Sequence, residues 1–101
     1  MASIQAKLVT VITVFEAREL VAQALASLGV RGFSVSSVEG VGVHGNKRAG
    51  LVEAENVAFA VVASEAVAAR VLDWFETDLL PRHPGIAYSV TVEAVAAAPL
   101  P

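Results

Sequence analysis

The chain has 101 residues, a formal net charge of −3 and 55% hydrophobic residues. Its length predicts one domain, and its acidic balance argues against non-specific binding to duplex nucleic acid, which requires a basic face. The absence of cysteine excludes disulfides, thiol nucleophiles and cysteine-ligated zinc, and two histidines cannot complete a metal site alone. Because a small chain cannot bury so many apolar residues internally, we expect a homo-oligomer.

The N-terminal residues carry no export signal that we can identify. Residues 1–14 lack the basic region and small-residue cleavage pattern of a signal peptide, and no apolar run in the chain approaches ~20 residues. We therefore expect a cytoplasmic protein.

The first half of the chain predicts a strand, a helix and a second strand. Residues 8–14 are β-branched at nearly every position and apolar on both faces, which is typical of a central strand covered on both sides. Residues 16–28 repeat apolar side chains with a helical period that closes at Gly29. Residues 33–43 alternate as a strand, and a slip in the apolar phase at Ser36–Ser37 predicts a bulge or bend.

The second half begins with a loop over residues 45–54, which have no sustained period, and continues with a strand over residues 56–63. Ser64 is the predicted N-cap of a second helix, which Pro81 ends. Residues 86–94 alternate as a half-exposed fourth strand.

This βαββαβ order predicts an α+β, ferredoxin-like split βαβ fold, a four-stranded antiparallel sheet with both helices on one face. The other face has no cover of its own. Because the first strand is apolar on both sides, we expect that face to pack against neighbouring subunits. Residues 96–101 are expected to form a loose tail.

The glycines of residues 40–45 spell GxGxxG, the dinucleotide-binding pattern. A Rossmann site needs a helix at these glycines and a P-loop needs lysine next, and neither follows. Gly40 and Gly42 would still allow close approach of a ligand, with Lys47 and Arg48 supplying charge for phosphate oxygens. A bulge followed by a solvated hairpin explains the same residues about as well.

The two histidines admit several roles. His44 could act as a general base, as a phosphate donor or simply as a polar loop residue. His83 lies in the Arg82–Gly85 turn, which offers a cation, an imidazole and a glycine amide, or only connects a helix to a strand. The sequence places neither histidine in a recognisable triad.

The run from Gly29 to Gly42, GVRGFSVSSVEGVG, together with the βαββαβ order, resembles the PII signalling superfamily, in which such a run leads into the T-loop. Residues 55–62 resemble its third strand, and residues 84–90 resemble its B-loop and fourth strand. The resemblance covers nearly the whole chain and implies a single PII-like domain over residues 1–101, with residues 43–54 as the T-loop. It also implies a homotrimer that binds adenine nucleotides between subunits.

Carried over by position, the resemblance places Ser34 and Val62 near the adenine, and Gly40 and Gly42 near the ribose and phosphates. The full implied nucleotide site comprises Ser34, Gly40, Gly42, His44, Lys47, Val62, Arg82, Gly85 and Ile86. Lys47 and Arg48 would suit a bicarbonate anion, and no metal site and no resident cofactor are implied.

The chain also departs from classical PII proteins. It lacks the T-loop tyrosine, has His44 in place of the glutamine at the loop base, and has no arginine pair near its C-terminus. We therefore expect no 2-oxoglutarate sensing, and a preference for AMP or ADP over ATP because the cations for distal phosphates are missing.

The short loop, Asn56 and the turn at residues 84–89 resemble instead the PII-like subgroup tied to inorganic carbon. That resemblance implies a non-enzymatic sensor whose T-loop is ordered by the nucleotide and read by a bicarbonate transporter or carboxysome-related protein. Two alternatives remain open. One is a small trimeric enzyme with His44 or His83 as general base, and the other is a divalent-cation-binding tolerance protein.

Overall fold

The computed structural model describes residues 2–39 and 55–100, and its secondary structure follows the predicted order. The strands are β1 (Ile4–Val14), β2 (Ser34–Glu39), β3 (Glu55–Ala63) and β4 (Gly85–Ala94). The helices are α1 (Arg18–Ser27), which follows a 3₁₀ turn at Phe15–Ala17, and α2 (Glu65–Trp74), which continues into a π-helical turn at Phe75–Leu79.

The four strands form one antiparallel sheet in the order β2-β3-β1-β4. This confirms the ferredoxin-like α+β fold and the central place of β1. β1 begins at Ile4, four residues earlier than its β-branched run, because the ladder with β4 extends to the pair Ile4↔Ala94. Local composition marks the strand centre, whereas the partner strand sets its length.

The core lies between one face of the sheet and the two helices. Odd-numbered residues of the central strands point to it, and the buried cluster joins them to apolar side chains of both helices. The cluster includes Val9, Val11, Val57, Phe59, Val61, Val21, Leu25, Val67, Val71, Phe75 and Leu79. Both helices therefore cover the same side of the sheet, as predicted.

The opposite side of the sheet, which we call the open face, carries the even-numbered residues of all four strands, because the registers pair even with even throughout. Several of its apolar side chains are uncovered in the single chain. Ile86 is 56% exposed, Val90 48% and Val62 38%. Exposed apolar side chains that adjoin one another in this way are typical of a surface that packs against another protein.

The predicted bulge in the second strand is absent from its described part. The register runs unbroken from Ser34↔Ala60 to Glu39↔Glu55. The slip in phase has another cause, since Val35 lies on the helix side and Val38 on the open face. An edge strand exposed on both faces tolerates an apolar residue on either one.

The helix ends agree with the predicted signals. Gly29 follows α1 with φ of 98°, a left-handed conformation that favours glycine. The Ser64 hydroxyl accepts a hydrogen bond from the Val67 amide at 3.2 Å and so caps α2. The second helix widens at its end into the π turn, which Leu80 N closes by donating to Phe75 O at 3.0 Å, and Pro81 follows directly, as predicted.

Candidate functional site

The segment from Leu80 to Gly85, called here the 80–85 turn, joins the π turn to β4 and lines an open depression of about 410 Å³. The Leu79 carbonyl accepts hydrogen bonds from the amides of Arg82 and His83, both at 2.9 Å. The two prolines of the turn have no amide hydrogen. The amides of residues 81–84 are therefore absent or already bonded, and an anion at this turn would meet the side chains of Arg82 and His83.

The turn is held closely against the sheet. The Thr13 hydroxyl donates to the Pro84 carbonyl at 2.9 Å. At Gly85, an added Cβ would lie 2.5 Å from the Ile12 carbonyl oxygen and 3.2 Å from the Phe75 ring. This glycine is consequently required by packing, whether or not it also touches a ligand.

Thr13 is a residue that the sequence reasoning missed. It follows Val9 and Val11 on the inner face of β1 and is only 2% exposed. The available signal was a single hydroxyl in a series of buried valines. Threonine is so common in strands that this signal predicts nothing until its partner is known.

Three of the predicted site residues, Ser34, Val62 and Ile86, lie on the open face, but at different edges of the sheet. Ser34 belongs to edge strand β2 and Val62 to its neighbour β3, whereas Ile86 belongs to β4 at the opposite edge. β2 and β4 are three strand spacings apart, or about 14 Å. One protomer therefore does not bring the predicted adenine contacts together with Ile86.

Gly85 differs from its neighbour Ile86 because it faces the helix side, where it pairs with Thr13 across the ladder. Arg82 is exposed and His83 is half-buried. These two are the polar side chains of the 80–85 turn.

The remaining predicted residues, Gly40, Gly42, His44, Lys47 and Arg48, lie outside the described residues, as does the whole of the predicted T-loop, residues 43–54. The strands that flank this segment are described. β2 and β3 are paired up to Glu39↔Glu55, at the same end of the sheet as the Thr13↔Gly85 pair. The 80–85 turn therefore lies at the same end of the molecule as Glu39 and Glu55, the residues that flank the undescribed segment.

Neither a cluster of metal ligands nor a membrane-spanning helix is found in the described parts of the chain. No group of three or more His, Asp or Glu side chains there is arranged to hold a metal ion. Within the same residues, no helix has the length and apolar character needed to cross a membrane.

The family model for nitrogen regulatory protein P-II matches residues 6–98. The chain belongs to the P-II family. This confirms the PII-like resemblance, and the family assigns the chain a regulatory role. No curated protein sequence matches it.

Solved structures share the PII-like fold at low sequence identity. A candidate PII-like signalling protein from Thermus thermophilus is 26% identical, with a TM-score of 0.79 over 94% of each chain. CPII from Thiomonas intermedia, bound to ADP, AMP and bicarbonate, is 16% identical, with a TM-score of 0.79 over 95% of this chain and 99% of that one. The B. subtilis GlnK–ATP complex is 22% identical, with a TM-score of 0.65 over 87% of this chain and 84% of that one.

Proposed function

We propose that this PII-like protein is a homotrimeric sensor that binds AMP or ADP between its protomers and signals through residues 43–54 as a T-loop. The observation that supports it most is the division of the predicted site. Ser34 and Val62 lie near one edge of the open face, and Ile86 and the 80–85 turn lie at the other. A neighbouring protomer that places its β4 edge beside β2 and β3 would complete the site.

The open face supplies the surface for such an assembly. Ile86, Tyr88 and Val90 on β4 and Val62 on β3 are exposed there in the single chain. Removing apolar surface of this kind from water is favourable by roughly 25 cal/mol per Å², and the part that exceeds the entropy cost of association stabilises the oligomer. The nucleotide site and the subunit interface would then share side chains, so that ligand and assembly stabilise each other.

The charges fit a nucleotide with few phosphates. In the 80–85 turn a phosphate would meet the side chains of Arg82 and His83, because the amides of residues 81–84 are bonded or absent. Lys47 is the basic group proposed from the T-loop. CPII was solved with ADP, AMP and bicarbonate, and this chain is proposed to take ADP or AMP, with bicarbonate as a second ligand at Lys47 and Arg48.

The proposed action is binding rather than catalysis. The nucleotide would favour one conformation of residues 43–54, and a partner would bind that conformation better than the others. The proposed partner is a bicarbonate transporter or a carboxysome-related protein, which would place the protein in the control of inorganic-carbon uptake or fixation in the cytoplasm.

Isothermal titration with ADP, AMP and ATP, each with and without bicarbonate, tests the ligand. We expect ADP or AMP to bind more tightly than ATP, and Lys47→Ala to weaken binding without changing the oligomer. Arg70→Ala is the matched control, because Arg70 is an exposed cation on α2, which covers the side of the sheet opposite the open face, and it should bind like the wild type.

Absence of nucleotide binding in the assembled protein, with or without bicarbonate, would refute the proposal. If Lys47→Ala bound as tightly as the wild type, Lys47 would be removed from the site. A rise in melting temperature with divalent metal alone would favour the cation-binding alternative.

A further inference from the structure

Thr13 is the one buried polar residue among residues 2–39 and 55–100. It occupies an inner-face position of β1 where Val9 and Val11 precede it, and it pairs with Val57 across the β1–β3 ladder. Valine has the same branched shape and would fill this position equally well. Packing at this position therefore does not require the hydroxyl.

The hydroxyl instead makes a hydrogen bond to a distant part of the chain. The Thr13 hydroxyl donates to the Pro84 carbonyl at 2.9 Å, and the two residues are 71 positions apart in the chain. A part-buried carbonyl that loses its donor costs free energy because it gives up water without receiving a hydrogen bond. The bond thus ties β1 to the last residue before β4.

This bond is one of several restraints on the 80–85 turn. At the start of the turn, Leu79 O accepts the amides of Arg82 and His83. At its end, Gly85 lies against the Ile12 carbonyl and the Phe75 ring. Thr13 acts between these two, at Pro84, and is the restraint that depends on a side-chain hydroxyl.

We propose that Thr13 is a positioning residue for the nucleotide site. It does not touch the ligand, and it acts through Pro84 by holding the 80–85 turn in the conformation from which Arg82 and His83 meet the phosphates. This inference rests on the proposed function for its ligand, whereas the restraint on the turn can be measured without any ligand.

The test compares Thr13→Val, which removes the hydroxyl and keeps the shape, with Thr13→Ser, which keeps the hydroxyl. Thr91→Val, on β4 far from the turn, is the control for removing a hydroxyl from the sheet. Residue-resolved amide hydrogen exchange is measured at Arg82, His83 and Gly85 in the assembled protein without ligand, and ADP affinity is measured by titration. If Thr13→Val does not fold, Thr13→Cys replaces it, since a thiol of similar size donates only weakly.

We expect Thr13→Val to speed exchange at these three amides, and to leave the amides of α1 as protected as in the wild type. Its ADP affinity should fall by about fivefold, the size of effect that one hydrogen bond produces, while Thr13→Ser and Thr91→Val stay within about twofold of the wild type. A merely structural role would lower protection throughout the chain and leave affinity unchanged.

Unchanged exchange in the turn of Thr13→Val, or unchanged ADP affinity in a wild-type background that binds ADP, would overturn the inference. If the wild type binds no nucleotide, the proposed function fails and Thr13 loses its ligand role. The exchange data then decide separately whether Thr13 holds the turn.

Discussion

Gly85 and Gly32 show how much the role of one residue depends on its surroundings. Gly85 is the first residue of β4, and Gly32 lies just before β2. An added Cβ at Gly85 would lie 2.5 Å from the Ile12 carbonyl oxygen, whereas one at Gly32 would meet no atom within 4 Å. Only the first glycine is needed for the close approach of two chain segments.

Gly85→Ala should lower the free energy of unfolding by about 1–3 kcal/mol, the usual cost of inserting a methyl group into a packed site. The obstructing atom is a backbone oxygen, which cannot move aside like a side chain. The measurement is urea denaturation at a fixed protein concentration, since an oligomer's stability depends on concentration. Gly32→Ala is the control and should change stability by less than about 0.5 kcal/mol. Equal stability of Gly85→Ala and the wild type would contradict this account of Gly85.

The second helix shows, at the scale of one element, which features are local and which are not. Its start is local, because Ser64 caps the amide of Val67 three residues away. Its end is not, because the π turn at Phe75–Leu79 places Phe75 against Gly85 and Leu79 in the core. Thr77 donates its hydroxyl to the Asp73 carbonyl at 2.9 Å where the regular helix ends.

Ser64→Ala should lower the free energy of unfolding by about 1 kcal/mol, because the Val67 amide loses its acceptor at the helix start. Thermal and urea unfolding followed by circular dichroism give this value. Ser27→Ala is the matched control at the exposed C-terminal residue of α1, where alanine is the better helix former and stability should change by less than about 0.5 kcal/mol. Similar losses in the two variants would show that the cap contributes nothing specific.

For the whole molecule, the chief feature is that the two faces of the sheet differ. The helices cover one face completely at its centre, and the open face keeps Ile86, Tyr88 and Val90 in contact with water. β2 is exposed on both sides and lies at an edge. The protomer by itself therefore leaves unburied the surfaces on which the proposed trimer and its nucleotide sites depend.

Val90→Glu should convert the proposed trimer, three chains of 10.4 kDa, into single chains and abolish nucleotide binding. Burying an unpaired carboxylate between apolar faces costs more than the interface can offset. Light scattering after size-exclusion chromatography measures the mass. Ala69→Glu, on the exposed side of α2, should leave the mass unchanged. A wild-type protein that runs as a single chain, or a Val90→Glu variant that keeps the three-chain mass, would rule out the open face as the trimer interface.

The amino-acid sequence alone predicts the order of the elements, the central place of β1, the Ser64 cap on α2 and the end of α1 at Gly29. It also carried the PII-like resemblance, which the family match over residues 6–98 confirms. These features are encoded in short windows, because periodicity, capping and turn conformation depend on residues a few positions apart. The ligand, the trimer and the roles of residues 40–54 stay predictions.

Three features become visible in the folded chain alone: the unbroken register of β2, the bond from Thr13 to Pro84, and the placing of Ser34 and Ile86 at opposite edges of the sheet. The physical reason is the same for each. Strand order and register bring together residues that are distant in the chain. The sequence around a phase slip or a buried threonine is the same whatever its partner is, so it does not identify that partner. The predicted site residues were distributed between two edges by the fold, and that distribution is what makes a site between protomers the best-supported proposal.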